Sequence, residues 1–461
     1  MATHAPSRVL PLDGTARPKA GIFAGQIRRV YYHVYVACLL GANAVLLVPQ
    51  SSPGDTGTSQ LFIASWLLLA GWTLLLLLTS VRHASRSLGA TLAFPVYVLA
   101  SAIWSIEPSM TIVFGLLLAA NIVAAYLMAE ELEIGEILTI VARVVVALTV
   151  VGLIAYYLGV PQVYHQDHHQ RPNILGGIPF RGFFPHKITA GLYAAIGAIA
   201  VCARMRGVRR ASALAVLGWA ALLSGSATAL VLFGAGLVAF GAVRAAGKRK
   251  VRTSALLIRL AGLVAVGGAL AAANWSHLLM MLDRDPTLTG RTILWDWGMS
   301  TWLEKPLAGW GFDAYFRSPY AEQIRQAVPV FRNYEIPHFH QAYLQTAVDL
   351  GLIGLAMVVG IIVYILVNSY RYALEGEMVV GVAIFSITAL IAGAGTVMFV
   401  FVTYNHFATF GLFLFAFALR RLRREARGRR VVKRHRTRDL APRLGPRTES
   451  IVARRAMEPV G

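Results

Sequence analysis

The residues best suited to chemistry are a few cations and imidazoles set beside long apolar stretches. Arg181, Lys187 and Arg291 carry positive charge that could converge on one polyanion. A guanidinium offers a planar fork of donors that matches phosphate oxygens. Next to a membrane, the natural phosphate is a lipid headgroup. His340 stands at the start of an apolar segment, where an imidazole could serve as base towards a hydroxyl. The bland alternatives are interfacial anchors for the arginines and a polar helix start for His340. The functional case rests on co-occurrence in four clusters. They are Trp104–Pro108, Arg181–Lys187 (with His186), Ser224–Thr228 (with Ser226), and a long stretch from Gly290-Arg291 through Pro306, Gly309 and Gly311 to His338, His340 and Gln341. Gly309 and Gly311 suit a tight loop that lets backbone approach a ligand.

The elements that must hold these clusters are membrane helices. The chain has 461 residues, of which 57% are hydrophobic and 14% charged, against about 25% charged in a soluble domain. The apolar residues come in blocks long enough to cross roughly 30 Å of hydrocarbon. Spans are expected near 30–48, 61–79, 88–104, 109–129, 138–159, 187–203, 211–224, 227–243, 255–273, 341–367, 377–400 and 405–420, an all-α polytopic protein of about twelve helices. The run from Val30 has no convincing cleavage site after it and reads as a retained helix. Basic clusters precede the first span and follow the second, sixth, eighth and twelfth, so they share one side if the count holds. That side is cytoplasmic by the positive-inside rule, with both termini cytoplasmic in a bacterial inner membrane. The acidic turn Glu130–Glu136 must then lie on the basic side.

Residues 1–29 read as a basic cytoplasmic tail, 30–420 as the membrane domain, and 421–461 as a basic, unordered tail. Residues 420–461 hold fifteen Lys/Arg against four Asp/Glu, about half of the net charge of +21. Such a tail suits topology anchoring and contact with anionic membrane lipids rather than nucleic acid. Two outer loops are long, about 160–187 and 274–340. The second contains Trp275, Trp295, Trp297, Trp302 and Trp310, which fit either an interfacial belt or stacking on sugar rings. His165, His168 and His169 lack the carboxylate or Cys spacing of a metal site, so no metal is assigned. Cys38 and Cys202 read as small buried hydrophobes, and no cofactor signature is present. Ionisable groups are scarce within the spans, which argues against a polysaccharide or lipid transporter.

At these clusters the sequence resembles the O-antigen ligase and polysaccharide polymerase family. Trp104–Pro108 looks like its WS-x-x-P turn. Gly290-Arg291 with Trp295, then Pro306-x-x-Gly309-x-Gly311, looks like its GR-x-x-x-W and P-x-x-G-x-G stretch. His340–Leu344 followed by Gly351 and Gly354 is similar to its HN-x-x-L and G-x-x-G segment, with Gln341 in place of Asn. His186-Lys187 is similar to exopolysaccharide polymerases of the succinoglycan type. The hairpin at Ser224 and Ser226 lacks the basic residue that often follows the second Ser.

The resemblance implies a GT-C-like, inverting, metal-independent glycosyltransferase. Its donor would be a saccharide on polyprenyl diphosphate, and its acceptor a glycan. Arg181 and Arg291 would bind the diphosphate, His340 would orient or deprotonate the acceptor, and a flippase and a chain-length regulator would be partners. The expected activity is polymerisation of repeat units into exopolysaccharide, with ligation onto lipid A–core as the alternative.

Overall fold

The computed structural model describes residues 22–48, 59–80, 88–165, 172–273, 291–328, 331 and 336–440. These are helical almost throughout; the described residues contain no β-strand, only an isolated antiparallel bridge between Tyr164 and Phe180. The helices are α1 (Ile22–Leu39), α2 (Ala42–Leu47), α3 (Gln60–Ser80), α4 (Leu88–Ala100), α5 (Pro108–Glu131), α6 (Ile134–Tyr157), α7 (Lys187–Arg204) and α8 (Gly207–Leu223). There follow α9 (Ala227–Lys248), α10 (Thr253–Ala273), α11 (Arg291–Glu304), α12 (Pro319–Ala327), α13 (Ala342–Leu374), α14 (Met378–Ala394) and α15 (Phe407–Leu440). Each expected span carries a helix. Six helices are long and apolar enough to cross a membrane on their own: α3, α5, α6, α7, α9 and α13. This is a multi-pass membrane protein.

Helix α7 sits at the centre and packs on α6, α8, α9 and α14. Its small residues permit that position. A Cβ on Gly191 would lie 2.1 Å from the Ala229 Cβ of α9, and one on Gly197 would lie 2.6 Å from Val145 of α6. Small residues allow close helix packing in a membrane, where association cannot draw on burial from water. The central helix therefore delivers His186 and Lys187 at its N-terminal end.

The face that carries the basic clusters is tied together by those clusters. Arg28 pairs with Glu131, Arg29 with Glu136 (3.0 Å) and Arg424 with Glu130. The acidic turn thus lies among the arginines, as the charge pattern required. Buried Arg421 donates to the Glu130 and Leu132 carbonyls, both at 2.9 Å, at the end of α5. Two boundaries differ from expectation. Helix α1 begins at Ile22 rather than near residue 30, and α15 runs on to Leu440, so residues 421–440 are helical rather than unordered. Residues 441–461 lie outside the described residues.

The opposite face holds the long loops and a sharp break in α13. Gly351 has φ 66° and ψ −169°, a conformation essentially confined to glycine, and it splits the helix. The backbone groups freed by the break are taken up by the segment from Pro306 to Gly311. The Trp310 and Gly311 N–H groups donate to the Val348 and Asp349 carbonyls at 2.8 and 2.9 Å, while Leu352 and Ile353 donate to the Pro306 and Leu307 carbonyls at 2.8 and 3.3 Å. The Tyr97 hydroxyl donates to the Leu350 carbonyl at 2.8 Å. Three glycines make this docking sterically feasible. A Cβ on Gly351 would fall 2.1 Å from the Leu307 oxygen, one on Gly309 2.6 Å from Asp349 backbone, and one on Gly311 2.2 Å from the Ser105 Oγ. The Trp104–Pro108 turn completes the joint, with Trp104 Nε1 donating to the Ala308 carbonyl at 3.0 Å and Ile106 N–H to the Trp310 carbonyl at 2.9 Å.

Candidate active site

Three helices begin at the centre of the polar-loop face, and each begins on a residue singled out above. Arg291 is the first residue of α11, Lys187 is the first of α7 after the N-cap His186, and His340 precedes the N-cap of α13. Helix N-termini present unpaired N–H groups and the positive end of the dipole, so these starts add to the field of the cations. An anion is the species such a face favours.

The geometry around the histidines is tight. His340 adopts φ 53°, in the left-handed region rarely occupied by residues with a side chain. Its N–H donates to His338 Nδ1 at 3.2 Å, which leaves Nε2 of a neutral His338 as the protonated nitrogen. The two rings meet edge to face with centroids 4.3 Å apart. Burial, and then the charge of Arg291, push the His340 pKa down to about 4. His338 is held well below the usual imidazole value, first by burial and then by His340, with His186 and Arg291 contributing. Both rings are therefore neutral at neutral pH, and His338 lies within electrostatic reach of His340, His186 and Arg291. His186 itself stacks edge to face on His165 at 4.2 Å, and its Nδ1 caps α7 by accepting the Ile188 N–H at 3.1 Å.

Arg181 is fixed by backbone. Its Nε donates to the Gln162 carbonyl at 3.1 Å and its Nη1 to the Pro185 carbonyl at 3.3 Å, next to His186. Burial lowers its pKa to about 10, so it remains a cation at neutral pH. Arg291 donates from Nη1 to the Val397 carbonyl at 3.1 Å.

Other expected site residues have structural tasks. The Gln341 carbonyl oxygen caps α13 by accepting the Leu344 N–H, which accounts for an amide at this position with either Asn or Gln length. Ser226 caps α9, accepting from Ala229 N–H at 3.3 Å, and Ser224 donates to the Ala221 carbonyl at 2.6 Å; both are buried in their hairpin. The structure does not bring these serines into the histidine cluster. They support Arg181 indirectly, since the Phe180 N–H donates to the Leu223 carbonyl at 2.9 Å. Gly309 and Gly311 approach the protein's own backbone and Ser105 instead of open space. Gly290, His168, His169 and Trp275 lie outside the described residues. Among the described residues no group of His, Cys, Asp or Glu has the geometry of a metal site.

Trp295, Trp297, Trp302 and Trp310 are held in place by the protein's own hydrogen bonds. Their indole nitrogens donate to the Phe339 carbonyl (3.0 Å), the Tyr315 hydroxyl (2.8 Å), the Pro306 carbonyl (3.1 Å) and the Thr301 carbonyl (2.9 Å). They build a separate aromatic core with Tyr315, Phe331 and Phe339 that supports α11 and the histidines.

One element escapes a hydropathy reading. The expected spans at 377–400 and 405–420 leave only residues 401–404 as a connection. The structure ends α14 at Ala394 and starts α15 at Phe407, so the intervening strap runs along the polar-loop face without regular helix. Its Val397 carbonyl accepts from Arg291, its Gly395 carbonyl accepts the Ala342 N–H at 2.8 Å, and its Phe399 ring lies 5.0 Å from His338. The apolar run Met398–Val402 hid it; the signals were the Gly393-x-Gly395 pair and the polar Asn405-His406 before the helix. The strap's His406 Nδ1 lies 3.0 Å from the hydroxyl of Tyr193 on α7.

Residues 212–359 match the family described as O-antigen ligase. This region contains Arg291, the Pro306–Gly311 segment, the His338–His340 pair and the break at Gly351. Over this region the chain is similar to the O-antigen ligase family. It is also 26% identical to the exopolysaccharide production protein ExoQ of Rhizobium meliloti (strain 1021) over 287 residues, 59% of this chain and 62% of that protein. The chain thus spans a little under two thirds of the curated relative it matches.

Proposed function

We propose that this protein is a membrane glycosyltransferase that joins polyprenyl-diphosphate-linked repeat units into exopolysaccharide. The observation that carries the reading is the gathering of Arg291, His338, His340 and His186 at three helix starts, with Arg181 anchored beside His186. The diphosphate binds Arg181, Lys187 and Arg291. An acceptor hydroxyl oxygen attacks the anomeric carbon, and the bond from that carbon to the diphosphate oxygen breaks with inversion. The electron pair leaves on the diphosphate, where the cations stabilise it in place of a divalent metal. The hydroxyl proton passes to neutral His340. A bound diphosphate offsets the Arg291 charge that depresses His340, so the ring becomes a better base once the donor is seated.

The twelve apolar segments cross a bacterial inner membrane with the basic face cytoplasmic and the site periplasmic. Likeness to an exopolysaccharide production protein favours polymerisation; the O-antigen ligase match supports a second reading, transfer of a finished glycan onto lipid A–core. A flippase that supplies the donor and a regulator of chain length are the protein partners proposed. Purified protein given lipid-linked repeat units should yield a ladder of longer lipid-linked chains on a gel. Transfer only onto lipid A–core would establish the ligase reading. No turnover of any lipid-linked donor by folded protein would remove both. Arg291→Ala and His340→Ala should abolish turnover without loss of expression.

A further inference from the structure

Beside the histidine cluster lies a polar cleft of about 430 Å³, a volume within the ~300–1,000 Å³ of small-molecule sites. Trp297 and Phe316 line it, with their rings 5.5 Å apart and edge to face. Two ion pairs form further parts of its lining: Asp313–Arg317 at 3.2 Å, and Glu322–Arg325, where Arg325 Nε donates to Glu322 at 2.7 Å. Asp313 is held in a left-handed conformation, φ 54°, at the turn leading to Arg317. The remaining wall includes Ile336 and Pro337, directly before His338. The Phe316 ring touches Phe339, between the two histidines, with centroids 4.5 Å apart.

The lining defines a ligand class. Carboxylates accept from hydroxyls and guanidiniums donate to them, while aromatic rings suit the C–H face of a sugar. Each cation here has a carboxylate partner in the cleft, so the lining offers no excess positive charge for a phosphate. Its ion pairs make it a poor host for a lipid chain. Arg181 and Lys187 reach the histidines through His186, whereas this cleft reaches them through Phe339. The donor's reacting sugar is tied by its own bond to the diphosphate at the arginines. The cleft is left to the chain that supplies the hydroxyl.

We propose that the cleft formed by Trp297, Asp313, Phe316, Arg317, Glu322 and Arg325 is a saccharide subsite that holds the glycan acceptor one or more sugars back from the reacting hydroxyl. This rests on the transferase reading, and the test separates the two. The probe is the host strain's own exopolysaccharide, cut to single and double repeat units. Glu322 is exposed on α12, so Glu322→Trp obstructs the cleft without entering the core, and Asp313→Asn removes one carboxylate. The first arm is saturation-transfer NMR of the probe on full-length protein in nanodiscs. Wild type should give a signal, and both variants should weaken binding at least tenfold. Glu375→Gln, on a turn at the basic face, is the comparison and should match wild type. The second arm measures release of polyprenyl diphosphate from donor as the probe is titrated. The variants should raise the KM for the probe at least tenfold with a smaller change in kcat. If the probe does not bind wild type, or binds both variants equally well, the subsite is refuted, whatever the turnover. If binding behaves as expected but no diphosphate is released by wild type, the subsite stands as a saccharide site and the transferase reading fails.

Discussion

Replacing Gly351 with alanine tests the joint that holds the site together. The new Cβ would lie 2.1 Å from the Leu307 oxygen and 2.4 Å from the Ala308 nitrogen, both backbone atoms that cannot rotate away. The conformation at φ 66° and ψ −169° adds its own cost for any residue with a Cβ, about 2 kcal/mol. To relieve the clash, the Pro306–Gly311 segment must retreat from the broken helix. That movement sacrifices the four backbone hydrogen bonds between the segment and residues 348–353, each worth about 1 kcal/mol. The total is about 6 kcal/mol, more than ten-thousandfold in the folded ratio and a fall in melting midpoint of roughly six degrees for a chain of this length. The same segment follows α11, so Arg291 should lose its register with His340 and activity should vanish. Gly360→Ala in the same helix is the internal comparison. Nothing lies within 4 Å of its Cβ position, so it should be neutral or stabilising by up to about 1 kcal/mol. Detergent-purified variants heated in steps and followed by size exclusion would report both midpoints. If Gly351→Ala melts within two degrees of Gly360→Ala, the docking argument is wrong.

Three further outcomes follow from other contacts. Burial and Arg291 push His340 down to about 4 in the free protein, so kcat/KM, which reports the free enzyme, should hold down to about pH 5 and fall as pH drops through about 4, while kcat should fall at a higher pH because the bound diphosphate offsets Arg291. Arg291→Gln removes the smaller cause, so the ring's NMR titration should move upward yet stay below the ordinary 6.5; an unmoved titration would contradict the pairing. Gln341→Ala removes the cap of α13 and should cost about 1 kcal/mol in thermal stability, whereas Gln341→Asn should retain most of it. Arg421→Ala strips two charge-assisted bonds from buried carbonyls at the end of α5 and should cost about 3 kcal/mol, readable as a lower melting midpoint with the polar-loop face unchanged.

Hydropathy located the apolar helices of the described residues because each membrane-spanning helix must present a long apolar surface, and that requirement is written locally along the chain. The ordered motifs likewise put Arg291, His340 and Arg181 forward, since the chemistry of phosphate and of proton transfer depends on residue type. What a motif cannot say is which way a residue faces. Gly309 and Gly311 read equally well as backbone opened to a ligand or backbone packed against protein; only the long-range encounter with the break at Gly351 and with Ser105 decided for packing. Gln341, Ser224 and Ser226 could be substrate donors until helix starts and turns were seen to use them. The strap at 395–406 read as only four residues for a different reason, because its apolar residues face the protein instead of lipid and hydropathy does not distinguish the two. Residue types and the continuous apolar blocks thus determined the helices and the candidate cations and imidazoles. Tertiary structure alone decided which residues meet, because the depression of His340 and the interaction of His186 and Arg291 with His338 come from groups far apart in the chain brought into electrostatic reach.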